Sequence, residues 1–365
     1  MNKNFVIGKQ IILYFYKLIF NLYMKIFYET KKGIKKKINI NYGGSRSGNL
    51  GGGKVKIKRL KNNFPENIWR FNLIYLISNS VFLNEDTIKF MKKKSIPIVL
   101  NQNGVFYPGW YDKDWKSKNK EMSIYYKYAD YVFWQSNFCK KSANKFLGLR
   151  DGSGEVLYNA VDTDYFLPKK RNKTNRFSFL MTGNFSEKSL YTIENTIQGL
   201  AFSRKLGLDS DLYIAGWSEK PSTIFEIAKR YNISKNIFYL GYYNQNEAPK
   251  IYQSADAFVS TKYLDPCPNS VIEALSCGLP VLYSASGGTP ELVDSKSGIG
   301  LKVKESWTDK NIIPNPKKLG EGMVKIYENH NFFKQNARNT AIKRFDIKNW
   351  IGKHKEIFEK LLNNV

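Results

Sequence analysis

Short apolar runs alternate with longer helical patterns along this chain, and the alternation occurs twice. In the first half, "FNLIYLIS" (71–78) and "IPIVLNQ" (96–102) flank the helical "NEDTIKFMKKKS" (84–95), which Asn84 and two first-turn acids open. "SIYYKYADYVFWQS" (123–136) runs from helix into strand, and "NFCKKSANKFL" (137–147) is a further helix. Upstream, "KINI" (37–40) reads as a short strand, followed by a glycine-rich loop and the helix "KVKIKRLKNNF" (54–64). The polar "KKRNKTN" (169–175) then reads as a linker. Beyond it come strands at "FSFLMTG", "DLYIAG", "NIFYLGY", "DAFVST" and "PVLYSAS", separated by helical segments that include "NEAPKIYQSA" (246–255). Strands alternating with helices in this way form parallel sheets with helices on both faces. The expected fold class is therefore α/β, with two Rossmann-like doubly wound domains. Such a pair holds its ligand between the domains, at the carboxyl ends of the strands. The expected boundaries are a basic N-terminal segment over 1–37, a first domain over 38–167, a second over 168–345, and a terminal helix over 346–365 packing back on the first domain.

Charge bears on the N-terminal segment. The chain has 58 Lys and Arg against 31 acids, a net charge of +27. Residues 1–61 contain 15 of the basic residues and a single acid, Glu29, so about half of the excess sits in the first sixth of the chain. That asymmetry points to an anionic partner, lipid or nucleic acid. "FVIGKQIILYFYKLIFNLYMKIFY" (5–28) is apolar and aromatic, with Lys9, Lys17 and Lys25 on one side of a helical wheel together with Gln10 and Asn21. A spanning helix would hold Lys17 near its centre at high cost, whereas an in-plane helix accommodates all three lysines. "KKGIKKK" (31–37) adds attraction to an anionic leaflet. An anionic membrane surface is the expected partner, and a helix packed on the protein body is the alternative. Three cysteines without a C-x-x-C pair and two histidines argue against zinc and fit a reducing compartment.

The chemistry concentrates in "DPCPNSVIEALSCGLPVLYSASGGTPELV" (265–293). Asp265 precedes a helix that Asn269 and Ser270 are able to begin, and Glu273 lies near the start of that helix. Carboxylates grip vicinal hydroxyls, as an acidic residue grips ribose in dinucleotide folds. The amino end of a helix favours phosphate, and Gly287 and Gly288 admit a close approach of backbone N–H groups. This segment resembles the signature of family-4 retaining glycosyltransferases, E-x7-E followed by A-x-G-x-P-V and G-G-x-x-E. "YNAVDTDYFLP", "TGNFSEKSLYTI", "LYIAGW" and "IFYLGYYNQNEAPKIYQSADAFVST" are similar to that family's other motifs, in the same order, over residues 158–299. The resemblance implies the GT-B fold and a metal-independent retaining transfer from a nucleotide-diphosphate sugar, with no resident cofactor. It implies an acceptor that is a glycan or lipid-linked, in surface polysaccharide or lipopolysaccharide synthesis. The implied place is peripheral, on the cytoplasmic face of the membrane. Asp265 would contact the donor sugar, Glu273 the ribose, and Lys188 the diphosphate. Gly183, Asn184, Gly216, Tyr242, Pro268, Asn269, Ser270, Gly287 and Gly288 would line the donor side.

The chain departs from that pattern. The first acid is Asp265 rather than Glu, Asn184 stands in place of an Arg, and Ser189 follows Lys188 where the family has Gly. Lys262 or Arg46 would supply the missing charge. The family's histidine at the strand end facing the sugar is absent. Asn103 occupies the approximate position, and His330 and His354 fall in C-terminal helices as surface or packed residues. "GVFYPGWYDKDW" (104–115), with Tyr107 and Trp110, suits a sugar acceptor. The loop "GGSRSGNLGGGK" (43–54), with Gly44 and Arg46, lacks the G-K-[ST] of an ATPase, because Val55 follows Lys54. As the first β–α loop it would face the cleft. Two other classes compete: a GT-B scaffold that binds sugar nucleotide without turnover, and a nucleic-acid-binding protein, for which no motif is present.

Overall fold

The computed structural model describes residues 3–28, 37–49, 51–80, 82–169 and 176–363, and side chains of the first helix from residue 11 onward. Most of the linker "KKRNKTN" and most of "KKGIKKK" lie outside the described residues. The chain opens with α1 (Lys3–Ile26). The first sheet takes β1 (Ile40–Asn41), β2 (Leu73–Ile77), β3 (Ile98–Gln102), β4 (Tyr131–Trp134) and β5 (Ser153–Val156), in that spatial order and all parallel. Between them run α2 (Gly52–Asn63), α3 (Glu85–Lys93), α4 (Trp115–Tyr128) and α5 (Asn137–Leu147). Every residue of β2 is buried, as the unbroken run "LIYLI" requires of a strand covered on both faces. Asn84 caps α3 by accepting a hydrogen bond from the Thr87 N–H at 2.8 Å.

The second sheet has six parallel strands in the order β11-β10-β9-β6-β7-β8. They are β6 (Phe177–Phe185), β7 (Ser210–Ser218), β8 (Ile237–Gly241), β9 (Ala257–Ser260), β10 (Val281–Ala285) and β11 (Gly298–Lys302). The connecting helices are α6 (Leu190–Lys205), α7 (Ser222–Arg230), α8 (Ala248–Tyr252), α9 (Asn269–Ser276) and α10 (Thr289–Leu292). The chain builds outward from β6 through β7 and β8, then returns to place β9 on β6's other side. That reversal makes the carboxyl end of β6 and β9 the switch point where ligands bind in such sheets.

α11 (Pro316–Glu328) and α12 (His330–Phe345) pack on the second domain. α13 (Ile347–Asn363) crosses back. Its Trp350, Ile357, Phe358 and Leu362 share a core with Ile40, Tyr42, Tyr75 and Val99 of the first domain. The chain therefore passes between the domains twice. The two passages are hydrogen-bonded to each other: Val161 N–H donates to the Phe345 carbonyl at 2.8 Å and Ile347 N–H to the Val161 carbonyl at 3.0 Å.

α1 docks with its polar side inward. Asn21 donates to the Phe82 carbonyl at 3.0 Å and accepts from the Asn84 N–H at 2.8 Å, and Met24 is fully buried in the first domain's core. The opposite face shows Ile11, Ile12, Phe15, Leu18, Ile19, Leu22 and Ile26 to solvent, with Ile12 71% and Ile19 66% exposed. The helix thus takes the alternative placement, packed on the body, and its apolar stripe is uncovered. Among the described residues, no helix is long and apolar enough to cross a membrane.

Candidate active site

The cleft between the domains encloses about 820 Å³. Its second-domain wall comes from the switch point: Gly183 and Asn184 near the end of β6, Gly216 near the end of β7, Lys262 and Asp265 beyond β9, and the first residues of α9. Gly216 has φ +132, and a Cβ there would stand 1.9 Å from the Gly183 carbonyl oxygen, so only glycine lets the two strand ends meet. The start of α9 has no side-chain cap: Pro268 is its N-cap, and Asn269 and Ser270 begin the helix. Its first N–H groups are therefore left for an anion in the cleft.

Glu273 is 9% exposed. It accepts hydrogen bonds from Tyr252 Oη at 2.9 Å and Gln245 Nε2 at 3.4 Å. Burial pushes its carboxyl above the ordinary range, opposed by the Arg59 guanidinium and by those two hydrogen bonds. Asp265 pairs with Lys262 at 2.8 Å and accepts from the Cys267 N–H at 3.2 Å. Lys262 also lies over the Trp110 ring, 4.8 Å from its centroid. Lys188 reaches across the cleft to Asp112 at 2.6 Å. Both partners are more than half exposed, so this pair adds little stability and both groups are free to exchange partners.

Gly183, Asn184, Lys188, Gly216, Tyr242, Asp265, Pro268, Asn269, Ser270, Glu273, Tyr107 and Trp110 all line this one cleft. Gly287, Gly288, Gly44, Arg46 and Asn103 do not. A Cβ on Gly287 would stand 2.5 Å from the Asp265 carbonyl oxygen and one on Gly288 2.0 Å from that of Pro266. The diglycine is therefore spent on closing the turn against the loop that carries Asp265, and Gly288 N–H donates to the Asp265 carbonyl at 2.8 Å. The glycine-rich loop does meet the cleft, through Asn49, Gly51 and Gly52 at the head of α2. Gly44 packs against Phe82, and Arg46 is exposed. Asn103 is half-buried and outside the lining. Its Oδ1 accepts from Lys56 Nζ at 3.1 Å and from Gln135 Nε2, while its Nδ2 donates to Asn79 at 3.0 Å. His354, on α13, is fully buried and hydrogen-bonded to Tyr75 at 3.0 Å, and His330 meets the Asp256 carbonyl at 2.9 Å.

Trp217, Tyr243, Gln245, Tyr252 and Tyr191 also line the cleft and escaped the sequence reading. Aromatic residues at strand and helix ends signal a core as readily as a site. Among the described residues, no group of three or more His, Cys, Asp or Glu gathers where a metal would sit.

The family described as glycosyl transferases group 1 matches residues 163–340. This half of the chain belongs to that family. The glycosyltransferase domain aligns with an uncharacterised glycosyltransferase of Methanocaldococcus jannaschii at 27% identity, covering 42% of this chain and 37% of that protein. A longer alignment, at 24% identity, covers 68% of this chain and 67% of the UDP-Gal:alpha-D-GlcNAc-diphosphoundecaprenol alpha-1,3-galactosyltransferase of Escherichia coli. The chain thus spans about one third to two thirds of the length of these relatives. Among solved structures, Anabaena HepE in complex with UDP-glucose superposes with a TM-score of 0.63 at 14% identity, over 90% of this chain and 99% of that one. At that identity the likeness is one of fold, and it extends the GT-B arrangement of the glycosyltransferase domain to the first domain as well.

Proposed function

We propose that this protein is a retaining glycosyltransferase that moves a sugar from a nucleotide-diphosphate sugar to a glycan or lipid-linked acceptor. One observation carries the reading: the buried carboxylate of Glu273 and the uncapped start of α9 face the same cleft, opposite the head of α2. Glu273 would hold the ribose hydroxyls. The α9 N–H groups, Lys188 and Lys262 would take the diphosphate charge that grows as the donor's C1–O bond breaks. The acceptor oxygen would bond to C1 on the face that the diphosphate leaves, and the leaving phosphate would take the acceptor's proton. No protein base and no resident cofactor enter this scheme. The positive groups supply the neutralisation that a divalent ion would otherwise give. The acceptor class is supported by the lipid-linked substrate in the printed name of the Escherichia coli relative, and surface polysaccharide synthesis is the setting it suggests.

The reading includes a peripheral position on an anionic membrane, at the cytoplasmic face. The uncovered apolar stripe of α1 and the basic excess of residues 1–61 support it. A panel of nucleotide sugars tested by thermal shift would identify the donor, because a ligand well above its Kd raises the melting temperature. With that donor, Glu273→Gln is expected to lower transfer by roughly tenfold to a hundredfold, the kinetic equivalent of losing one charge-assisted hydrogen bond. Its melting temperature should stay near that of the parent. Unchanged turnover at limiting and saturating donor would remove Glu273 from the site. Donor binding without transfer or hydrolysis would leave a sugar-nucleotide-binding scaffold.

A further inference from the structure

The last residue of the G-G-x-x-E motif has no part in the cleft. Glu291, in α10, reaches across to the first domain and closes the amino end of α5. Its Oε2 accepts from the Asn137 backbone N–H at 2.7 Å and from Asn137 Nδ2 at 2.8 Å, and its Oε1 accepts from the Phe138 N–H at 2.8 Å. Tyr158 Oη donates to it at 3.2 Å. The next N–H of α5, on Cys139, is taken by Ser136 Oγ at 3.0 Å, and that hydroxyl donates to the Pro266 carbonyl of the second domain at 2.6 Å. Two of the orphan donors that every helix start must place are therefore satisfied from the other domain, by a charge that also suits the helix dipole. We infer that Glu291 is a positioning residue: it caps α5 across the cleft and so fixes how the two domains face each other.

The consequence reaches the site through short links. Cys139, on the first turn of α5, donates to the Asn103 carbonyl at 2.9 Å, and Gln135, just before α5, holds the Asn103 side chain. The loop that bears Tyr107 and Trp110 begins there. Holding α5 thus holds the first-domain wall opposite the donor. This functional consequence rests on the transferase reading, while the geometric inference does not.

The test uses the full chain with nitroxide labels at cysteines replacing exposed Lys93 and Lys235, one in each domain; the three native cysteines are buried. Pulsed electron–electron distance measurement is expected to give one narrow distribution for the parent. E291Q, which loses the charge, should give a clearly broader one while still melting cooperatively. N137A/Y158F, which removes two donors from the opposite side, should broaden it in the same sense. UDP, the probe for the nucleotide site, should bind E291Q by calorimetry with a Kd within about twofold of the parent's, since the site lies within the second domain. Distances in folded E291Q or in N137A/Y158F that match the parent's would overturn the inference, as would loss of UDP binding with distances unchanged. Failure of the parent to bind UDP would count against a uridine donor alone, and the distances would still decide the role of Glu291.

Discussion

Lys56 carries its ammonium into a site whose hydrogen-bonding partners are neutral amides, Asn101 at 2.6 Å and Asn103 at 3.1 Å. Burial pulls its pKa from 10.5 down to about 7; the nearby Cys267 and Cys139 thiols act to raise it and Arg59 to lower it, while His354, on α13, is pushed to about 3 by its own burial. Between about 7 and 10.5 the unfolded chain therefore holds a proton at this position that the folded protein has released. Stability contributed by Lys56 must rise with pH across that window, and the cost of the buried charge is fully present below it. Lys56→Met is expected to gain most over the parent at pH 6.5 and least at pH 9, as read from melting temperatures. Parallel pH curves for the two proteins would mean that Lys56 does not titrate there. A buried lysine of this kind was hidden in a chain with 58 basic residues, where each one reads as surface. Asp265 and Glu273 were legible because acids are scarcer and their spacing is bound to a helix start. The diglycine was legible as a place only glycine can occupy, but not for what crowds it: Asp265 and Pro266 backbone rather than a ligand.

At the scale of the element, α1 illustrates what a helical wheel resolves and what it leaves open. The wheel separates Lys17 and Asn21 from the isoleucines, but either face can dock. Asn21 decides the matter, because its amide satisfies the Phe82 carbonyl and the Asn84 N–H at once, and a leucine would leave both unmet. Removing residues 1–37 would therefore also strip Met24 from the core, so substitution on the outer face is the cleaner experiment. Ile19→Glu with Leu22→Glu is expected to weaken co-sedimentation with phosphatidylglycerol vesicles by at least about tenfold, from the apolar burial lost. The melting temperature should not move. Retained vesicle binding in the double variant would exclude this face as the contact. Elsewhere, a strand with an unbroken apolar run, such as β2, was readable from composition alone. β5 ("SGEV") and β11 ("GIGLK") were not, since edge strands are partly exposed and rich in glycine, and tertiary pairing makes them strands. α8 is shorter than the pattern "NEAPKIYQSA" suggests because Pro249 fixes its first turn and Gln253 already caps it.

For the molecule as a whole, the return of α13 matters most. Ending the chain after Phe345 would uncover Ile57, Tyr75 and Phe358's other neighbours in the first domain while leaving the second domain's own cores intact. Hydrogen exchange on such a truncation is expected to show β2 and β3 losing protection while β6 and β9 keep theirs. Uniform protection in both sheets would make α13 dispensable. The same arrangement has a consequence in time. Tyr75 must wait for His354, 279 residues further on, before the two side chains can pair. A ribosome adding roughly 5–20 residues each second therefore exposes a complete second domain before the first has its last helix. The half of the protein that is born first is the half that finishes folding last, and chaperones would meet it in the interval.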